Sequence, residues 1–201
     1  KITVLFADVR GFTSLSEKLP PENVFALLND YFDKMIEEIS KNHGMLNKFM
    51  GDGLMAVFGA IEEDLYQEEN AIKAALGMRH VLEGMRERFQ IGVGINTGVA
   101  LVGNIGSNQR MEFTAIGDTV NLGSRLESAN KEFNTDIIVS EYTYVAARTQ
   151  FQFRSLGPLT IRGREEPVSA YAVEGNRRLF LEVEGSLPSV RQLKEAIIVF
   201  S

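Results

Sequence analysis

Apolar positions recur along this chain at two different spacings, and the switches between them mark out its elements. Ile2 to Ala7 is a short apolar run of the kind a buried strand shows, and Gly11 breaks it. Pro20 and Pro21 suit the first turn of a helix. Val24, Leu27, Leu28, Tyr31, Phe32, Met35, Ile36 and Ile39 then follow at helical spacing, a stripe for the core or for a second copy, with Gly44 as the expected end. Met45 to Met50 and Leu54 to Phe58 are two apolar runs joined by Gly51-Asp52-Gly53, a hairpin signature. A second amphipathic helix is predicted from about Leu65 to Phe89.

Beyond it, Ile91 to Asn96 and Val99 to Val102 read as a strand pair around Thr97-Gly98. Glu112 to Ile116 ends another strand, and Gly117-Asp118 opens a helix running to about Ala129. Thr135 to Ser140 is a strand followed by a short helix. Phe153 to Leu156 and Leu159 to Arg162 suggest a last hairpin, which Ala170 to Val173 would join. Helices interleave with tight hairpins, so a purely parallel doubly wound sheet does not fit; an antiparallel α+β sandwich with helices on one face does. Residues 1–174 form the expected domain, and 175–201 an arm of unassigned role.

Composition narrows the function. At 201 residues the chain is long enough for one domain with a real core. Its formal charge of -6 argues against a nucleic-acid binder, which needs a basic face. A polyanion such as ATP would therefore need a local cationic pocket or a metal ion. There is no cysteine, which removes disulfides and thiolate sites and fits a reducing, cytoplasmic compartment. The apolar stretch around Leu54 to Ile61 is too short to span a bilayer. The chain opens on Lys1 and enters a strand at once, as expected of a domain taken from a longer protein with upstream regulatory domains.

Asp8 follows a buried strand and Asp52 sits in a hairpin turn. Two strand-end carboxylates suit Mg²⁺, which takes few protein oxygens and completes its shell with substrate phosphates. Singly, each aspartate is also what an ordinary turn uses. Lys48, Thr114, Asn121, Arg125, Arg110 and Arg162 are candidate nucleotide contacts. Asn121 and Arg125, one turn apart, share a helix face. Taken alone, Lys48 reads as a solvated edge lysine, Thr114 as simple β-propensity and the Asn121–Arg125 pair as a solvated polar face, while Arg110 and Arg162 mean little.

Their order is what carries information. Phe6-Ala-Asp8-Val-Arg-Gly-Phe-Thr13, Lys48-Phe-Met-Gly-Asp52-Gly, Gly92-Val-Gly-Ile-Asn-Thr-Gly98 and Glu112-Phe-Thr-Ala-Ile-Gly-Asp-Thr-Val-Asn-Leu-Gly-Ser-Arg125 closely resemble the motifs of class III adenylyl and guanylyl cyclases, over about residues 1–174. The resemblance implies a ferredoxin-like antiparallel sheet with helices packed on it. It implies two Mg²⁺ ions, with Mn²⁺ as a substitute, held by Asp8, Asp52 and the backbone carbonyl of Val9. Lys48 and Thr114 match the pair that reads the purine. Asn121 and Arg125 match the residues that orient the ribose and stabilise the transition state. Arg110 corresponds to a phosphate-binding arginine, and Arg162, or else Arg164, to the basic residue on the terminal phosphates.

The same resemblance implies a homodimer with two shared sites, since both halves of the residue set are present. Lys48 can donate to adenine N1 and Thr114 can accept from the 6-amino group, whereas cyclases for GTP typically resemble this pattern with Glu at position 48. ATP is therefore the expected substrate and 3′,5′-cyclic AMP the product. Threonine at 114 resembles the branch of cyanobacterial and mammalian soluble cyclases, some of which respond to bicarbonate, so bicarbonate regulation is a further expectation. The rival readings are a guanylyl cyclase and a non-catalytic cyclase-like module. His43 and His80 are read as structural or surface residues.

Overall fold

The computed structural model describes residues 1–84, 90–107, 109–160 and 166–177. Arg162, Arg164, the end of the second predicted helix and nearly all of the 175–201 arm lie outside them.

β1 (Ile2–Val9) is buried along almost its whole length, because it runs through the middle of a sheet covered on both faces. It ends at Val9, and Gly11, with a φ of 68°, precedes the short α1 (Phe12–Ser16). α2 (Pro21–Lys41) starts with proline in its first turn and buries Tyr31, Met35 and Ile39. Its end corrects the sequence expectation. The left-handed cap residue is His43, with φ 62°, not Gly44. The His43 amide donates to the Ser40 carbonyl and the Gly44 amide to that of Ile39, closing a Schellman motif. Gly44 is required for space instead: a Cβ there would lie 2.5 Å from the ring of Phe58.

β2 (Met45–Met50) and β3 (Gly53–Phe58) form the expected hairpin. α3 (Gln67–Glu83) lies beside α2 on one face of the sheet. β4 (Ile91–Gly98) pairs with β1, and the expected partnership with the following strand does not occur. β5 (Leu101–Ser107) instead pairs with β6 (Arg110–Ile116) as a separate two-stranded ribbon. α4 (Asp118–Phe133), β7 (Ile137–Ser140) and α5 (Glu141–Ala147) follow. β8 (Phe151–Leu159) is one bulged strand, not half of a hairpin at 153–162, and its partner is β9 (Val168–Asn176).

Among the described residues the main sheet has seven strands, in the order β2-β3-β1-β4-β7-β9-β8. Its first four strands carry the ferredoxin-like arrangement, and the α+β architecture is the expected one. The sheet is antiparallel except where β4 and β7 run parallel. Helices cover both faces rather than one. α2, α3 and α5 pack over Leu5, Ala7, Leu54, Val93 and Val139, while α4 and the ribbon pack over Val4, Phe6, Met55 and Ile138.

The reason is written in β4. Gly92, Gly94 and Gly98 present no side chain on the α4 side. A Cβ at Gly94 would lie 2.1 Å from the Glu127 amide nitrogen, and one at Gly98 would lie 2.5 Å from the Thr119 hydroxyl. The remaining position of this row, Asn96, is buried and donates to the Thr119 carbonyl. Helix and strand thus approach closely enough to lock α4 in one place.

Candidate active site

Asp8 leaves β1 on the α4 side, next to the β2–β3 turn that carries Asp52. The two come together because β1 and β3 are neighbours and Ala7 pairs with Leu54. Gly53 makes room, since a Cβ there would lie 3.0 Å from the Asp8 carboxylate. Burial, and then the charge of Asp52, raise the Asp8 pKa above the usual carboxylate range, partly offset by Lys131 and by the Val9 amide donating to the carboxylate. Val9 closes the strand at this point.

A third carboxylate stands nearby. Glu127 projects from the sheet-facing side of α4, and its pKa is raised by burial and then by Asp8. The buried Tyr31 phenol is pushed up by burial first and then by Asp8 and Asp52. This end of the sheet therefore concentrates negative charge. Its hard oxygen donors and the discouraged ionisation of Asp8 suit a divalent cation, which would relieve the repulsion. Among the described residues there is no cluster of three or more metal-ligating side chains. A cation here would thus draw further oxygens from backbone, water or substrate.

Lys48 reaches its position through a bulge. Leu46 pairs with Ala56, but Lys48 pairs with Met55, so Asn47 is an extra residue in β2. Without the bulge Lys48 would share the α2 face with Leu46. With it, Lys48 turns to the face of Met55 and the ribbon. There its ammonium lies 2.9 Å from Glu112 of β6. Lys48, and to a smaller extent Arg110, hold the Glu112 carboxyl below its usual range. Asn47 makes a second link between the same strands. Its amide donates to the Phe113 carbonyl at 2.9 Å, and the Thr114 hydroxyl donates to its Oδ1 at 3.0 Å. Lys48 and Thr114 are thus held side by side, with Thr114 only 6% exposed.

Asn121 and Arg125 do not join either group. The buried residues of α4 are Thr119, Leu122, Gly123, Leu126, Glu127 and Asn130, which leaves positions 121 and 125 on the side turned away from the sheet. Arg125 borders a groove of about 490 Å³ between α4 and β8, with Ser128, Glu132, Pro158 and Thr160. Arg110 is exposed at the tip of the ribbon, opposite Ser107. A cavity of about 870 Å³ lies at the other end of the sheet around Met45, Gly59 and Tyr66 and contains none of these residues.

The sequence reading overlooked Asn47, Glu112 and Glu127. Glu127 had a signal, as a carboxylate at the sheet-facing spacing of α4. The other two depend on the bulge, which has none.

Known proteins share the sequence pattern and the fold of this chain. The model of the adenylate and guanylate cyclase catalytic domain matches residues 1–175. The chain is 34% identical over 183 residues to adenylate cyclase 1 of Rhizobium meliloti, covering 87% of the chain and 28% of that protein. It is 38% identical over 186 residues to the terminal-differentiation specific adenylate cyclase of Dictyostelium discoideum, covering 88% and 9% respectively. The chain therefore spans well under half of these curated relatives. Its fold matches the adenylyl cyclase CyaB of P. aeruginosa with a TM-score of 0.82 at 35% identity, over 88% of this chain and 95% of that one. It also matches the guanylyl cyclase Cya2 with a TM-score of 0.79 at 34% identity, over 90% and 94%.

Proposed function

The chain belongs to the adenylate and guanylate cyclase catalytic domain family, which generally uses divalent metals, and from that premise we propose that it is an adenylyl cyclase catalytic domain acting as a homodimer. It converts ATP to 3′,5′-cyclic AMP and pyrophosphate in two equivalent sites, each built from both subunits. The observation that carries the substrate assignment is the Lys48–Thr114 pair, fixed side by side by Glu112 and Asn47. A lysine only donates. It meets the acceptor N1 of adenine and opposes the N1–H of guanine. The likeness to Cya2 keeps a guanylyl cyclase as the second reading, and Lys48 is the residue that stands against it.

The shared site follows from the divided residue set. Asp8 and Asp52 lie together on one side of the sheet, while Asn121 and Arg125 face outward on α4. A dyad-related partner supplies each half with its complement. The ribbon offers a surface for that partner, with Leu101 and Met111 exposed by 67% and 60%.

Two Mg²⁺ ions, replaceable by Mn²⁺, would be held by Asp8, Asp52 and the Val9 carbonyl, where they would lower the pKa of the 3′-hydroxyl and neutralise phosphate charge. Lys48 and Thr114 bind the base. Asn121 orients the ribose so that its 3′-oxygen lies in line with the α-phosphorus. The new bond joins the 3′-oxygen to that phosphorus, the bond to the bridging oxygen breaks, pyrophosphate leaves, and the hydroxyl proton passes to solvent. Arg125 places its fixed charge on the α-phosphate as negative charge shifts there. Arg110 and Arg162 complete the assignment as cations for the other phosphates. Bicarbonate regulation, upstream regulatory domains and a cytoplasmic setting belong to the same proposal. Among the described residues no helix is long and apolar enough to cross a membrane.

The test is cyclic nucleotide production by the purified dimer from ATP or GTP with Mg²⁺ or Mn²⁺. Activity on ATP that Asp8→Ala abolishes and Lys48→Glu weakens is the expected result. Absence of turnover with either nucleotide, at concentrations where the chain is dimeric, would replace this proposal with the non-catalytic reading.

A further inference from the structure

Thr114 alone is an ambiguous base reader. A free hydroxyl rotates, and it can donate to a 6-oxo group as readily as it accepts from a 6-amino group. In this chain it is not free. The Asn47 amide nitrogen lies 2.9 Å from the Phe113 carbonyl, which only accepts, so the NH₂ end of Asn47 must lie there. That fixes its oxygen against the Thr114 hydroxyl at 3.0 Å. An amide oxygen carries no proton, so the single proton of Thr114 is committed to Asn47. Only lone pairs remain to face a ligand.

We infer that Asn47, the bulged residue of β2, is a specificity-determining positioning residue: it orients the Thr114 hydroxyl as an acceptor, so that the site takes a purine with a 6-amino group and rejects one with a 6-oxo group. The inference rests on the reading of Lys48 and Thr114 as the purine-binding pair. The burial of Thr114 makes the selection effective, because a 6-oxo group would set two acceptors against each other where little water can intervene. The carboxylate of Glu112 engages Lys48 from the same strand at 2.9 Å, leaving the lysine further N–H groups for N1. Two neighbouring links between β2 and β6 thus fix the two halves of the base reader separately.

The test compares kcat/KM for ATP and for inosine triphosphate, which differs at position 6 and N1 and lacks the 2-amino group of guanine. The dimeric wild type, Asn47→Ala, Asn47→Asp, Thr114→Val and the Asn47→Ala/Thr114→Val double variant are measured. Asn47→Ala should lower the ATP:ITP ratio about ten-fold, the scale of one buried hydrogen bond. Asn47→Asp keeps an acceptor for Thr114 but loses the donor to the Phe113 carbonyl, so its ratio should fall between those of wild type and Asn47→Ala. Thr114→Val should lower it as far as Asn47→Ala does, and the double variant should go no lower than Thr114→Val. Equal losses on both substrates in Asn47→Ala, with the ratio unchanged, would overturn the inference and leave Asn47 a structural residue. Should Asn47→Ala not yield a folded dimer, a ratio in Thr114→Val within about three-fold of wild type overturns it equally. A wild type without turnover of ATP would instead sink the underlying assignment of the pair.

Discussion

Replacing Gly94 by alanine sets one methyl group against the backbone of α4. The new carbon would lie 2.1 Å from the Glu127 nitrogen, 2.4 Å from the Gly123 carbonyl oxygen and 2.7 Å from the Glu127 Cα. Ordinary contacts of this kind begin near 3.4 Å, so the helix must retreat by more than an ångström. Overpacking costs about 1–3 kcal/mol where side chains can give way. Here the obstacle is main chain, and a loss of about 3 kcal/mol or more is expected. At roughly 2–4 °C per kcal/mol for a domain of this size, Tm falls by about 6–12 °C.

Gly123→Ala is the control. Its methyl would meet Val4 Cγ2 at 2.8 Å and Phe6 Cδ2 at 3.0 Å, which are side-chain atoms able to shift. Alanine also gains about 1 kcal/mol over glycine inside a helix. Its net change should stay within about 1 kcal/mol. Urea unfolding at one fixed protein concentration, needed because a dimer's stability depends on it, measures both. Since α4 carries Asn121 and Arg125, Gly94→Ala should also cut kcat by about 100-fold, the scale of an ångström of misplacement. A Gly94→Ala variant within 1 kcal/mol of wild type, or one less damaged than Gly123→Ala, would refute the argument that backbone contact on these glycines positions the helix.

Three further outcomes are expected. Without metal, Asp8→Asn should stabilise the domain at neutral pH, because the raised Asp8 pKa means that the folded state disfavours the ionised form. The destabilisation is absent below the unfolded pKa and develops as pH rises through the folded one, so the gap should close as pH falls; thermal melts in EDTA check this, and a less stable Asp8→Asn would contradict it. Mg²⁺ with nucleotide should raise the Tm of wild type at neutral pH, lose that effect as Asp8 is protonated, and leave Asp8→Asn unmoved. Met111→Asp, which charges the exposed side of the ribbon, should weaken dimerisation in sedimentation and lower activity in parallel, with activity recovering at higher protein concentration.

Local signals carried much of the fold. The Asp-Gly hairpin, the stripe of α2 and the proline at its start are short-range patterns, and they appear in the structure where expected. Long-range pairing was harder. β4 and β5 are adjacent in sequence and joined by a short turn, yet each finds a different partner. The alternate glycines of β4 fall in a run that reads as a strand, but their role as the floor under α4 needs the helix to be in place. Motif order singles out Asp8, Asp52, Lys48 and Thr114 as candidates. The pairing of Asp8 with Asp52, and the opposite orientation of Asn121 and Arg125, required the sheet register and the helix face. The bulge at Asn47 inverts the facing of Lys48 that strand alternation would give, and no residue type announces it.

The claim that each site is shared between two subunits is tested most directly by mixing two inactive variants, Asp8→Ala and Arg125→Ala. Each homodimer has two defective sites of one kind. A mixed dimer concentrates both defects in one site and leaves the other intact. Random exchange of equal amounts puts half the molecules in mixed dimers with one working site of two, so cyclic AMP production should recover to about a quarter of wild type. Production that stays at the level of the separate variants, with subunit exchange demonstrated, would show that the two residues serve the same chain's site and would contradict the account.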